Sequence, residues 1–343
     1  MQIREPEHSQ LQVASVVTFY IVAALVMVFV NKAVLNDTPD LPFTFLLIQC
    51  FIAVLLLRLI AFINTTSLRG YSPIDWELPM LHRSMLIKLL PYFSVGTSGL
   101  IFNTLCLTNV DASFFQIARG LALPFTIAVN AVHARTRPRA QVVLAAFVVT
   151  CGFFIGTAPT FIRRSSSFSP ESAAALLYGS MSSLLLALHA VLKKPALGHV
   201  GNSVINLSYF GNMFSSVSML VCTVLHGELG VLHTRLNDPS MNWTPFIVGS
   251  IVTGFFGFLL GIANSLSVKV TSAVTHMFSS AAKGVFQTLL GVWIFSDIIT
   301  LSRFYSLSTI IGGTVYYTYV QTNKPKQPFP KSDVEKQELA SKS

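Results

Sequence analysis

Charged residues are scarce in this chain. They make up 11% of its 343 residues, against 52% hydrophobic ones, where a soluble domain carries about a quarter. With mean hydropathy at +0.63, that shortage excludes an ordinary water-facing surface and leaves no length for a separate soluble domain. Cysteine is scarce as well. Cys50, Cys106, Cys151 and Cys222 each sit inside an apolar run, which offers neither a disulfide framework nor a metal-ligand spacing, so no metal and no cofactor is expected. The opening residues MQIREPEHSQL lack the pattern of a cleaved leader, and the first apolar run is expected to remain as an anchor.

What the chain does have is apolar runs of about 20 residues, the length that crosses a hydrocarbon core of about 30 Å. Ten spans are expected, over 12–33, 42–63, 87–109, 112–133, 141–161, 171–192, 202–225, 244–267, 271–295 and 300–321. The reading is therefore an all-α polytopic membrane protein. A short tail (1–11) precedes a ten-helix transporter domain (12–321), and a polar tail of disordered composition (322–343) follows it. The lipid bilayer is its first partner. Much of the net charge of +9 lies in connections and tail, and no nucleic-acid partner is expected.

Basic residues orient the spans. With the N-terminus in the cytosol, the cytosolic connections hold Arg69 and Arg83, then Arg135, Arg137 and Arg139, then Lys193 and Lys194, then Lys269, and the tail holds five lysines. The opposite connections hold chiefly Arg163, Arg164 and Arg235. Both termini are thus placed in the cytosol, and the sequon at Asn242 in the lumen.

A faint internal repeat accompanies the spans. The shift that lays Gly96 on Gly257 also lays Asn103 on Asn264, Leu105 on Leu266, Ala112 on Ala273, Phe125 on Phe286 and Gly152 on Gly313. Five spans per half is an odd number, so the halves must be inverted relative to each other. Inverted repeats place a substrate near the midplane, between the halves.

Acidic charge inside the spans is the most telling absence. Arg119 lies in the fourth expected span, Lys283 at the centre of the ninth and Lys32 near the end of the first, while Asp111 and Asp297 stand only at span edges. An intramembrane cation costs about 2.5–3.5 kcal/mol on insertion scales. An anionic ligand in a wet cavity would offset that cost; backbone carbonyls or snorkelling are the structural alternative. Ser272, Thr275, His276, Ser279, Ser280, Lys283 and Gln287 fall within an arc of about 140° on the ninth span, at roughly 100° per residue. Ser113, Gln116, Arg119, Gly120, Thr126 and Asn130 share one face of the fourth span, and Asn206, Tyr209, Asn212 and Ser216 one face of the seventh. Such stripes can join helices; together with the cations they read as a cavity wall. Lysine and arginine suit phosphate. His276 is ambiguous between packing and proton transfer, and His133 and His189 read as packing residues.

Several motifs resemble the nucleotide-sugar transporters of the drug/metabolite transporter superfamily, and most closely the GDP-fucose branch. They are VNKAVL (30–35), PFTFLLIQC (42–50), FNTLCL (102–107), SYFGN (208–212), FFGFLLG (255–261) and VTSAVTHMFSSAAKGVFQT (270–288). The resemblance implies that Tyr209, Phe210 and Asn212 meet the nucleotide and that Lys283 meets its phosphates. Asn31, Lys32, Arg119, His276, Ser279, Ser280 and Gln287 complete the substrate-binding candidates. Gly211 stands where related GDP-sugar carriers have the first Asn of their span-seven motif, and Ser279-Ser280-Ala281-Ala282-Lys283 departs from Gly-Ala-Leu-Asn-Lys.

The implied activity is antiport: a GDP-fucose-like nucleotide sugar enters the Golgi lumen in exchange for a nucleoside monophosphate. A UDP-sugar such as UDP-galactofuranose is the alternative substrate, and the endoplasmic reticulum the alternative membrane. A monomer and a homodimer both fit. A membrane glycosyltransferase would need paired carboxylates that the loops lack, and a proton-coupled exporter an intramembrane acid, so no enzyme is expected. A sugar-phosphate translocator of the same fold is the remaining rival.

Overall fold

The computed structural model describes residues 10–65, 76, 78–80, 82–109, 121–164, 170–239, 242–295 and 301–323. Among the described residues there are eleven helices and no strand. They are α1 (Gln10–Asp37), α2 (Pro42–Thr65), α3 (Arg83–Asn109), α4 (Ala122–Ala134), α5 (Ala140–Arg164), α6 (Pro170–His199), α7 (Val204–Leu225), α8 (Glu228–Leu236), α9 (Thr244–Val270), α10 (Ala273–Phe295) and α11 (Leu301–Thr322). Five of these, over Gln10–Leu35, Pro42–Asn64, Arg83–Asn103, Val204–Leu225 and Thr244–Val270, are long and apolar enough to cross a membrane, and α4 and the first part of α5 are shorter apolar helices. Large apolar side chains such as Leu59, Phe62, Phe147, Val221, Ile251 and Val315 point outward, each more than half exposed. A soluble protein does not expose apolar surface on that scale, whereas lipid tails cover it.

Local chemistry sets the boundaries. Pro42 opens α2, where its missing N–H costs nothing. A serine hydroxyl is a preferred helix N-cap, and Ser203 caps α7 by accepting from the backbone N–H of Asn206, 3.2 Å away. Between α6 and α7 the chain reverses through Gly201 and Asn202, both at positive φ, and the Asn202 N–H closes the α6 end on the Leu197 carbonyl, as left-handed C-terminal residues do.

Two elements differ from the sequence expectation. The polar segment between the seventh and eighth spans contains a short helix, α8, tied back into the bundle by Glu228. That carboxylate, 1% exposed, accepts from the backbone N–H groups of Phe43 (2.9 Å) and Thr44 (2.7 Å) and from the Thr44 hydroxyl (2.7 Å). It thereby caps the N-terminus of α2 from 185 positions away, where the helix dipole favours negative charge. Arg235, at the far end of α8, pairs with Asp40. The second difference is α6, which continues through Pro195 to His199. Lys193 therefore lies inside a helix and is buried (3% exposed), not in a connection as its basic neighbourhood suggested. Of the fourth expected span (112–133), residues 112–120 lie outside the described residues, and its described part forms most of α4.

The helices pack in pairs that cross between the halves of the chain: α1 on α9, α2 on α7, α3 on α6 and α5 on α11. In the α5–α11 pair two glycines make reciprocal contacts. A Cβ on Gly152 would stand 2.7 Å from Ile310 Cγ1, and a Cβ on Gly313 would stand 2.7 Å from Val149 Cγ2. Only hydrogen fits at either place.

Candidate functional site

Polar groups converge on open space where α3, α6, α7 and α9 meet. A cavity of about 250 Å³ is lined there by Tyr92, Thr97, His189, Lys193, Asn212 and Asn264, among others. Its position along the bundle is consistent across all four helices. Lys193 and Asn264 both stand in the last third of their helices, whereas the α3 and α7 residues come from the first two-thirds of theirs.

Each wall has a local reason. Gly96 on α3 leaves room for the His189 imidazole, since a Cβ would stand 2.8 Å from its Nε2. The imidazole stacks on Tyr92, with centroids 4.4 Å apart and planes at 17°, an arrangement that ring quadrupoles favour when the rings are offset. Lys193, one turn further along α6, donates from Nζ to Asn264 Oδ1 at 2.5 Å. An ammonium has three N–H donors and needs acceptors when buried; its partner here is a neutral amide, and among the described residues no carboxylate lines the cavity. Thr97 Oγ1 and Ser208 Oγ are buried in the same wall without a hydrogen-bond partner among the described residues. Helical hydroxyls commonly fall back on their own backbone. Thr126 does so on Ala122 at 2.7 Å, and Ser216 on Asn212 at 2.8 Å. Cation, amides and free hydroxyls together can hold a polar anion.

The α10 stripe contributes none of the residues that line this cavity. Its His276 Nδ1 is 3.1 Å from Ser267 Oγ on α9, and its ring lies 4.6 Å from that of Tyr20 on α1. Lys283 is itself buried, 6% exposed, at mid-helix. Ser279 bonds the Thr275 carbonyl at 3.1 Å, and Ser280 and Gln287 are half-buried. Thr275 also meets the Tyr317 hydroxyl at 2.7 Å, which joins α10 to α11 and gives part of the stripe a packing role.

The other expected residues divide. Asn212 lines the cavity, with its Nδ2 donating to the Ser208 carbonyl at 2.8 Å. Tyr209 and Phe210 do not line it. They are 3% and 1% exposed in the core between α2, α3 and α7, where the Tyr209 hydroxyl accepts from Arg58 Nε at 3.3 Å. Asn31 accepts from Gln49 Nε2 at 3.0 Å, across α1 and α2. Lys32 belongs to α1, but its side chain lies outside what is described, and Arg119 lies outside the described residues altogether. Lys193, His189, Asn264 and Tyr92 were not anticipated as site residues. A signal existed for two of them: Ser182, His189 and Lys193 recur at helical spacing on one face of α6. The expected sixth span stops at residue 192, so Lys193 fell to the basic connection after it and the shared face was cut short.

No protein-family model matches the chain. Curated relatives do. The chain is 28% identical to GDP-fucose transporter 1 of Nematostella vectensis over 322 residues, covering 92% of this chain and 91% of the relative. It is 28% identical to GDP-fucose transporter 1 of Mus musculus, with 91% and 84% covered. It is also 28% identical to the Golgi GDP-fucose transporter of Drosophila melanogaster, with 91% and 90% covered. A solved crystal structure superposes with a TM-score of 0.65 over 92% of this chain and all of that one; at 13% identity it shows a common fold. Similarity along nine-tenths of the chain bears out the resemblance carried by the motifs: this chain is similar, end to end, to proteins named as GDP-fucose transporters.

Proposed function

We propose that the protein is an antiporter of the Golgi membrane that takes up a GDP-sugar, with GDP-fucose favoured, in exchange for a nucleoside monophosphate. The observation that carries this reading is Lys193, a buried ammonium on the wall of a cavity without a carboxylate among the described residues. A transporter that left this charge without an anion would bear a desolvation cost of several kcal/mol. A phosphate group supplies the missing acceptors, and Lys283, buried at the middle of α10, is a second positive charge. Asn212 offers amide groups to a base edge. The relatives named for GDP-fucose favour guanosine and fucose as the rest of the ligand. A volume of about 250 Å³ is below the roughly 300–1,000 Å³ of pockets that enclose drug-sized ligands, so this state holds part of such a substrate.

In this reading α1 to α7 and α9 to α11 are the ten spans, and the halves are inverted repeats. The reciprocal glycine contact supports it. The shift that carries Gly152 onto Gly313 also carries Val149 onto Ile310, the groups that the two glycines approach. An interface in which i meets j and j meets i is the mark of a two-fold axis.

The test is exchange in liposomes. Purified protein in vesicles preloaded with GMP or UMP is offered labelled GDP-fucose, GDP-mannose, UDP-galactose, UDP-galactofuranose and a hexose phosphate. GMP-dependent uptake of GDP-fucose is the expected result. Uptake driven only by UMP would move the assignment to UDP-sugars, and uptake of the hexose phosphate alone against inorganic phosphate would replace it by a sugar-phosphate exchange.

A further inference from the structure

We propose that Thr97 and Ser208 hold the ribose hydroxyls of the nucleotide, and that the cavity thereby selects ribonucleotides over deoxyribonucleotides. The inference rests on the nucleotide reading above and assigns the part of the ligand that lies between base and phosphate.

Both side chains are more than nine-tenths buried, at 6% and 7% exposed, and both line the cavity, Thr97 from α3 and Ser208 from α7. Neither hydroxyl has a hydrogen-bond partner among the described residues. A buried serine or threonine in a helix has a ready acceptor in the carbonyl one turn earlier. Thr253 uses it, bonding Gly249 at 2.7 Å, as do Thr314 on Ile310 at 2.8 Å and Ser279 on Thr275 at 3.1 Å. Thr97 and Ser208 do not. Thr150, Thr223 and Ser250 also lack a partner, but none of the three lines this cavity. Thr97 and Ser208 are the pair that a ligand in the cavity can satisfy.

Their placement fixes which part of the ligand they meet. Ser208 lies one turn before Asn212, whose Nδ2 donates to the Ser208 carbonyl at 2.8 Å. Its hydroxyl is directed at α9, where a Cβ on Gly261 would stand 3.9 Å from Ser208 Oγ. Gly261 shares a helical face with Asn264, three positions on, and Asn264 holds Lys193. Ser208 is thus flanked by the amide assigned to the base on α7 and by the partner of the ammonium on α9. Thr97 follows Gly96, which makes room for His189, and His189 lies one turn before Lys193 on α6. A nucleotide carries its ribose between base and phosphate, in that order. A hydroxyl both donates and accepts, so two of them match the vicinal hydroxyls of a ribose. Other nucleotide-binding folds read a ribose hydroxyl with a carboxylate. Beside a phosphate site a carboxylate would repel the charge that Lys193 attracts, and among the described residues the cavity has none. Neutral hydroxyls bind the ring without that opposition.

The test is ligand-induced thermal stabilisation of the purified protein, titrated with GMP, 2′-deoxy-GMP and 3′-deoxy-GMP, and with the matching UMP series. The unmodified protein should bind the ribonucleotide at least about fivefold more tightly than one or both deoxy analogues. Thr97→Val and Ser208→Ala should each weaken the ribonucleotide by a similar factor. In each, discrimination against one deoxy analogue should disappear, because ligand and protein then lose the two ends of one hydrogen bond. Thr97→Ser keeps a hydroxyl and should keep discrimination that Thr97→Val loses. Equal binding of all three GMP species by the unmodified protein would overturn the proposal, and so would full discrimination in either Thr97→Val or Ser208→Ala. Should one of these variants not fold, the other and the unmodified protein decide. If only the UMP series binds, the guanine assignment fails and the same ribose comparison still decides this one; if neither series binds, both fall.

Discussion

Lys193 on α6 donates a hydrogen bond to Asn264 on α9, two residues 71 positions apart that face each other across the wall of a cavity. A neutral amide is a weak partner for a buried ammonium. The first prediction follows from that imbalance. Lys193→Gln should leave thermal stability in detergent unchanged or slightly higher, because it removes a charge that is costly without ligand. It should weaken nucleotide binding about 10- to 150-fold, the value of a charge-assisted hydrogen bond of about 1.5–3 kcal/mol. Ligand-induced thermal stabilisation, measured beside liposome exchange, separates the two effects. Normal binding in a folded variant would reduce Lys193 to a packing residue.

Lys283→Ala should behave similarly, and Lys283→Arg should restore exchange only in part. A guanidinium is a planar fork and does not reproduce the compact ammonium. Full rescue by arginine would mean that charge alone matters at this position.

Asn212→Ala tests the base. Free monophosphate and nucleotide sugar share the base, so half-saturation should rise for both by a similar factor. A rise confined to the sugar-linked substrate would place Asn212 against the sugar.

Glu228 tests the fold. Glu228→Ala leaves the N–H groups of Phe43 and Thr44 and the Thr44 hydroxyl without their acceptor, and each unsatisfied buried group costs about 1–3 kcal/mol. The melting temperature should fall by several degrees. Glu228→Gln, which keeps one carbonyl acceptor, should fall less; equal losses would contradict the capping role.

The glycine pair gives a control on symmetry. Gly152→Ala and Gly313→Ala each drive a Cβ to 2.7 Å from a side chain and 3.1 Å from backbone nitrogen on the facing helix, and both should destabilise by about 1–3 kcal/mol. Gly284→Ala, where nothing lies within 4 Å, should be tolerated structurally. Thermal unfolding of the three variants in one detergent decides it.

Much of this protein is determined by its sequence alone, for a physical reason. In a bilayer every backbone polar group must be satisfied within its own segment, so long apolar runs by themselves specify helices. Hence the runs at 42–63, 202–225 and 244–267 reappear as α2, α7 and α9 within a few residues. The absence of acid at depth is equally legible, because charge is costly in hydrocarbon wherever it sits. Which cation meets which cavity is a different matter, since it depends on contacts between helices far apart in the chain. Lys193 reads locally as one of a basic pair before a proline, and only the crossing of α6 with α9 buries it against Asn264. Tyr209 and Asn212 share one helical face, yet Arg58 and Trp76 hold the tyrosine in the core while the asparagine reaches the cavity. Helical period assigns residues to a face; only tertiary packing decides whether that face meets a neighbour, lipid or a space for substrate.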